Sequence, residues 1–146
     1  AEIDAHGTRT DYTHDASGRV LTETTARRIP AAGGGTTTET LVTRHTYDAK
    51  GRLTRTEHPD GSATTTTYNG IDKPERECDA LARCTVHAYD ARGNRTRSTY
   101  ADGTWDETGY DANGNAITQR DRGGRTTRKA YDRTNRLIAP THPDPP

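Results

Sequence analysis

The residues of this chain that could do chemistry are six histidines, two cysteines, one tryptophan and 18 arginines spread over 146 positions. Histidines and cysteines together suggest a metal, but no Cys/His spacing here matches a structural zinc site. His45 and His87 are 42 residues apart and His58 and His142 are 84 apart, so their recurrence reads as position in a repeat. Cys78 and Cys84 are close enough to face each other across a hairpin as a disulfide; two reduced thiols are the other reading. Asn94-Arg95-Thr96 has the form of a glycosylation acceptor, yet Asn94 directly follows a turn glycine, Gly93, and turn chemistry explains it better. Arg95 with Arg97, and Arg125 with Arg128, could meet phosphates. With 21 acidic residues balancing 21 basic ones, a solvated or cross-strand-paired face is the expected reading, with no nucleic-acid partner. Trp105 follows the pair Asp102-Gly103 and is expected to pack. No Ser/His/Asp or Cys/His set has the spacing of a catalytic site, so no catalytic, metal or cofactor-binding residue is expected.

The elements that carry these residues cannot form an ordinary globule. Hydrophobic residues make up 27% of the chain, Phe and Met are absent, and Leu, Ile and Val total 13. Such poverty suggests disorder, but two features oppose it. Net charge is zero, which removes self-repulsion, and 28 positions are Thr, a β-branched residue suited to a pleated surface. Arg outnumbers Lys 18 to 3, favouring bidentate pairing with carboxylates across polar strands. No apolar run is long enough to cross a membrane.

Self-similarity resolves the conflict. Tyr47, Tyr68, Tyr89, Tyr110 and Tyr131 are spaced by 21 residues and are followed by Asp48, Asn69, Asp90, Asp111 and Asp132. His14-Asp15 stands in the same column, one period plus 12 residues before Tyr47. The extra 12 fall at 27–38, where a Gly-rich stretch reads as a loop insertion. The whole of 1–146 is thus expected to be one repeat array.

Each period holds two turns. The first is Asp-x-x-Gly, closed by Gly51, Gly93 or Gly114, with Asp72 and Asn135 in the same place. Its Asp can cap backbone N–H groups and its last residue takes a positive φ. The second is fullest at Pro59-Asp60-Gly61 and returns as Asp102-Gly103. Two turns in 21 residues leave two strands of about six residues, so an antiparallel hairpin meander without helix is expected. Across the first turn the tyrosine should face the residue six positions on, making a ladder of tyrosine and aliphatic side chains. One hairpin could not stand alone, because burying a Tyr and a Leu yields roughly 1.5–3 kcal/mol each against about 1–2 kcal/mol per ordered residue. Stacked neighbours must supply the rest, and edge-to-edge self-association is expected of open strands.

The runs Tyr47 to Leu53, Tyr89 to Arg95 and His58 to Ser62 resemble the tyrosine-aspartate (YD) repeats of the rearrangement hotspot (Rhs) family. That family includes bacterial Rhs polymorphic toxins, the C components of Tc toxins, and teneurins. The resemblance implies an all-β fold in which the chain is a segment of a curved single-layer sheet or spiral shell. It also implies a non-enzymatic wall that encloses a C-terminal toxin domain until delivery by a secreted bacterial effector, often through a type VI system. The expected partners are the remaining repeats and that toxin. An Asp-Pro-x-Gly-Leu cleavage signature is absent; the one Asp-Pro is Asp144-Pro145. Because His142-Pro143-Asp144 is in register with His58-Pro59-Asp60, the chain is expected to be part of a longer array. The degenerate turn at Tyr68 to Pro74 is expected to distort its hairpin. An adhesion or carbohydrate-binding surface using Tyr100, Trp105 and the arginines is the alternative function, and a disordered linker the third reading.

Overall fold

The computed structural model describes residues 2–3 and 8–140. The chain is all-β. Thirteen strands follow one another in a single antiparallel meander whose spatial order is the chain order, and the sheet is not closed. Two compact units share the strands. The first contains β1 (Glu2–Ile3), β2 (Arg9–His14), β3 (Val20–Pro30), β4 (Thr36–Tyr47), β5 (Leu53–Glu57) and most of β6 (Ala63–Tyr68). The second contains β7 (Pro74–Cys78), β8 (Cys84–Tyr89), β9 (Arg95–Thr99), β10 (Trp105–Tyr110), β11 (Ala116–Arg120), β12 (Thr126–Tyr131) and β13 (Leu137–Pro140).

The expected register is present. His14 pairs with Val20, Tyr47 with Leu53, Tyr89 with Arg95, Tyr110 with Ala116 and Tyr131 with Leu137. At each of these tyrosine-column positions the ladder also shifts by one, because Leu21, Thr54, Thr96, Ile117 and Ile138 are extra residues opposite the pairing step. A β-bulge therefore recurs at these five positions and increases the local bend and twist of its strand.

Among the described residues no hydrophobic side chain is fully buried, and Leu53 and Leu137 in the ladder are 39% and 50% exposed. The aliphatic ladder is thus a half-covered stripe. Cohesion comes from main-chain pairing and from polar cross-strand contacts such as Thr13 with Thr22, whose hydroxyls are 2.6 Å apart. Arg27 and Glu39, Cα partners on β3 and β4, pair at 2.6 Å. Many arginines, however, find their carboxylate inside their own turn, as Arg19 does with Asp15 and Arg52 with Asp48, both at 2.6 Å.

Two sequence expectations need correction. Residues 27–38 are not a loop: β3 and β4 are 11 and 12 residues long, against 5 and 6 for β7 and β8, and pairing continues to Pro30 and Thr36. Ile29 and the threonines of 36–38 continue the strand pattern, and the reversal is confined to Ala31 to Gly35, where Gly34 and Gly35 have φ of +85° and +86°. The turn at Asn69 is not distorted either. Asp72 takes the left-handed backbone at φ +63°, and Asn69 closes the turn as Asp does elsewhere.

Candidate functional site

What recurs in this molecule is a pair of turn designs and a tyrosine clasp. In the first turn one carboxylate oxygen accepts two backbone N–H groups. Oδ1 of Asp48 takes those of Lys50 and Arg52 at 2.9 and 3.0 Å, and Oδ1 of Asp111 takes those of Asn113 and Asn115 at 2.9 Å. The second oxygen accepts a side chain four residues on: Arg52 Nε at 2.8 Å, Asn94 Nδ2 on Asp90 at 2.9 Å, Asn115 Nδ2 on Asp111 at 2.9 Å and Arg136 Nε on Asp132 at 2.7 Å. This column of Arg or Asn was not singled out from sequence, although its regular place after Asp was there to be seen. Asn69 retains the backbone caps to Ile71 and Lys73, both 3.0 Å.

These contacts hold the carboxyls below their ordinary range. For Asp48, Asp90 and Asp111 the leading cause is the side-chain hydrogen bond from Arg52, Asn94 and Asn115. Asp132 is lowered to about 2, first by the Thr134 hydroxyl and then by the Arg136 backbone N–H. Gly51, Gly93 and Gly114 close their turns at φ of +81°, +82° and +86°.

The second turn uses a different cap. Asp60, between Pro59 and Gly61, accepts the N–H and hydroxyl of Ser62 at 2.9 and 2.6 Å; Asp102, before Gly103, does the same with Thr104 at 2.9 and 2.6 Å. At Asp121 the first-turn pattern is borrowed, with Arg125 donating both its N–H and Nε at 3.0 Å. His142 and Asp144 lie outside the described residues.

The tyrosines are more than ladder rungs. Tyr47 donates its hydroxyl to the Val20 carbonyl at 2.9 Å, Tyr89 to Pro74 at 2.7 Å, Tyr110 to Arg95 at 3.1 Å and Tyr131 to Ala116 at 3.2 Å. Each acceptor opens the strand that precedes the tyrosine's own, so the hydroxyl clasps the open end of a second-turn hairpin. Tyr68, in the same column, makes interactions of its own. The insertion at 27–38 leaves the clasp between Val20 and Tyr47 in place.

The residues considered for chemistry are engaged structurally. His87 is buried, with Nδ1 3.2 Å from Ser98 Oγ and Nε2 2.9 Å from Glu77 Oε2. The trio has the composition of a nucleophile, base and acid, but Ser98 is 1% exposed, which leaves no room for a substrate at its hydroxyl. His45 occupies the same column and approaches Thr56 at 3.2 Å. His58 lines a shallow groove with Glu39 and Asp60. Among the described residues no group of three His, Cys, Asp or Glu is placed to hold a metal. The Asn94 amide nitrogen, which a glycan would need, is used in the Asp90 cap. Trp105 lies between two guanidinium groups, Arg97 at 4.0 Å and Arg120 at 3.5 Å from the ring centre. Arg122 covers Tyr100 at 4.1 Å, and the Tyr100 hydroxyl donates to Asp106. Cys78 and Cys84, Cα partners on β7 and β8, are joined as a disulfide. No helix among the described residues is long and apolar enough to cross a membrane.

The family profile described as RHS Repeat matches residues 1–29 and 110–144. No curated protein sequence matches. Among solved structures, the fold is similar to that in the Tc holotoxin pore of Photorhabdus luminescens, at 17% identity over 94% of this chain and 8% of that one, with a TM-score of 0.64. It is also similar to TcdB2-TccC3-TEV, at 18% identity over 93% of this chain and 8% of that one (TM-score 0.62). TcdB2-TccC3 without its hypervariable C-terminal region is a third, at 17% identity over 86% and 7% (TM-score 0.60). The chain therefore spans about 7 to 8% of the length of the toxin chains it matches. The chain thus resembles the RHS repeat family: the profile matches near both ends, and the 21-residue period and capped turns run through the stretch between them.

Proposed function

We propose that this chain is a wall segment of an Rhs-type shell that encapsulates a C-terminal toxin domain before delivery. The observation that carries the reading is the likeness of 94% of the chain to part of a Tc holotoxin, at a TM-score of 0.64. The architecture supports it physically. A wall with solvent on both faces needs a sheet that coheres without a hydrophobic core, and here cohesion lies in ladders, capped turns and tyrosine clasps. On this reading residues 1–146 form one continuous array, and its partners are the flanking repeats and the enclosed domain. The wall acts by enclosure rather than by catalysis. The protein would be a secreted bacterial effector or toxin, loaded in the cytoplasm and delivered outside or into a target cell.

The test uses the full-length protein that carries this segment. Limited proteolysis should leave a C-terminal domain protected, and Gly51→Pro with Gly93→Pro, which break two first turns, should expose it. A C-terminal domain cleaved equally fast in both proteins would sink the proposal. The alternative surface, centred on Tyr100 and Trp105, is less well supported, because both faces of the Trp105 ring are covered by arginine and a sugar has no open face to stack on.

A further inference from the structure

The repeat that contains the two cysteines differs from its neighbours in one other respect. At the closing position of the second turn stand Gly61, Gly103 and Gly124, with φ of +82°, +81° and +87°. In the cysteine repeat this place is Ala82, with φ +58°, a left-handed backbone that residues with a Cβ adopt reluctantly. Its turn keeps the Ala82 N–H to Asp79 carbonyl bond at 2.9 Å and a cap from Asp79 to Leu81 at 2.9 Å. Among the described second turns it is the one without glycine, and it is also the one whose flanking residues are cross-linked, Cys78 to Cys84.

We infer that the disulfide takes the place of the second-turn glycine, so that the β7–β8 hairpin is a redox-sensitive joint of the array. A cross-link that closes a short loop restricts the alternatives open to the unfolded hairpin and offsets the unfavourable backbone at Ala82. The joint is also built to open. Arg76 places Nε 3.4 Å from Cys78 Sγ and Nη2 3.2 Å from Cys84 Sγ, and its side chain is exposed. A guanidinium at that distance stabilises a thiolate, and a stabilised thiolate is a better leaving group. The reductant is a small thiol such as glutathione. Its thiolate attacks Cys78 Sγ, the Cys78–Cys84 bond breaks, and the electron pair leaves on Cys84 beside Arg76. A second glutathione thiolate then attacks the mixed disulfide, releasing the Cys78 thiolate and glutathione disulfide. Two glutathiones are oxidised and one disulfide is reduced.

The experiment is hydrogen exchange of the β7–β8 amides in the oxidised and glutathione-reduced chain, with Ala82→Gly and Arg76→Gln compared. Reduction of the unmodified chain should speed exchange across Thr85 to Ala88 by about tenfold or more, and Ala82→Gly should restore slow exchange in the reduced state. Arg76→Gln should lower the equilibrium constant for reduction by glutathione about tenfold. Equal exchange in the oxidised and reduced chain, or no restoration by Ala82→Gly, would overturn the joint. An unchanged reduction equilibrium in Arg76→Gln would overturn the role given to Arg76.

Discussion

The hydroxyl of Tyr89 donates to the carbonyl of Pro74 across 2.7 Å, which fastens the last residue of β8 to the first residue of β7. The intervening hairpin is held at its tip by a turn and a disulfide, and this bond fastens its mouth. Tyr89→Phe removes the donor while leaving the ring, and is expected to cost about 0.5–1.5 kcal/mol. Urea denaturation should show a lower midpoint with an unchanged slope. A midpoint equal to that of the parent would mean that the carbonyl finds water as readily as tyrosine.

Gly114 and Gly109 separate two reasons for glycine. A Cβ at Gly114 would meet nothing within 4 Å, but the backbone is at φ +86°, so Gly114→Ala should cost about 1–2 kcal/mol from conformation alone. Gly109 has ordinary backbone and faces its Cα partner Thr118, whose hydroxyl occupies the space a Cβ would need. Gly109→Ala should therefore cost about 1–3 kcal/mol through crowding, and Thr118→Ala should recover most of it. Recovery of Gly114→Ala by Thr118→Ala as well would contradict the distinction.

Trp105 is the sole tryptophan, so its fluorescence reports on the arginine stack. Arg120→Ala should uncover one ring face, shift the emission to longer wavelength and cost about 1 kcal/mol. An unshifted spectrum would show that Arg120 does not shield the ring in solution.

The capped aspartates make the array acid-sensitive. Asp48, Asp90, Asp111 and Asp132 have folded-state pKa values below that of an unfolded Asp, and Asp132 reaches about 2. Their contribution is present above about pH 4, the unfolded value, and is lost as pH falls toward 2. Thermal midpoints should drop through that window. Asp132→Asn should be less stable at neutral pH and should flatten the dependence, because Asn69 already shows that an amide can form the backbone caps without a charge. A midpoint independent of pH between about 5 and 2 would refute the assignment.

Much of the fold was legible because turn chemistry is local. Asp48 and Gly51 declare a cap and a positive φ within four residues, and their recurrence with the tyrosine column set strand length and register. Four things were not legible. The bulge residues Leu21, Thr54, Thr96, Ile117 and Ile138 are of the same types as the ordinary strand residues beside them, since a bulge is a property of pairing rather than of the residue inserted. The acceptor of each tyrosine hydroxyl is a backbone carbonyl, which any residue supplies. Residues 27–38 read as a loop in sequence because three consecutive glycines outweigh the threonines beside them, although only five residues at the tip reverse direction. At Ser98, nothing in a serine that follows Arg95-Thr96-Arg97 announces burial.

That long hairpin sets a rule of parity for the array. Relative to β7 and β8, β3 and β4 are each six residues longer, an even number, so the alternation of faces is the same at the tip as at the mouth. The tip closes with the bonds of an ordinary second turn: Ala31 N–H to Gly35, and Gly34 N–H to Ala31, as His58 bonds Ser62 and Gly61 bonds His58. Repeats of this kind can therefore grow outward in steps of four residues, two per strand, without disturbing the clasp at their base. An odd step per strand would turn the tip to the opposite side of the sheet. Hairpin length thus becomes a trait that can vary from one repeat to the next while the scaffold stays in phase.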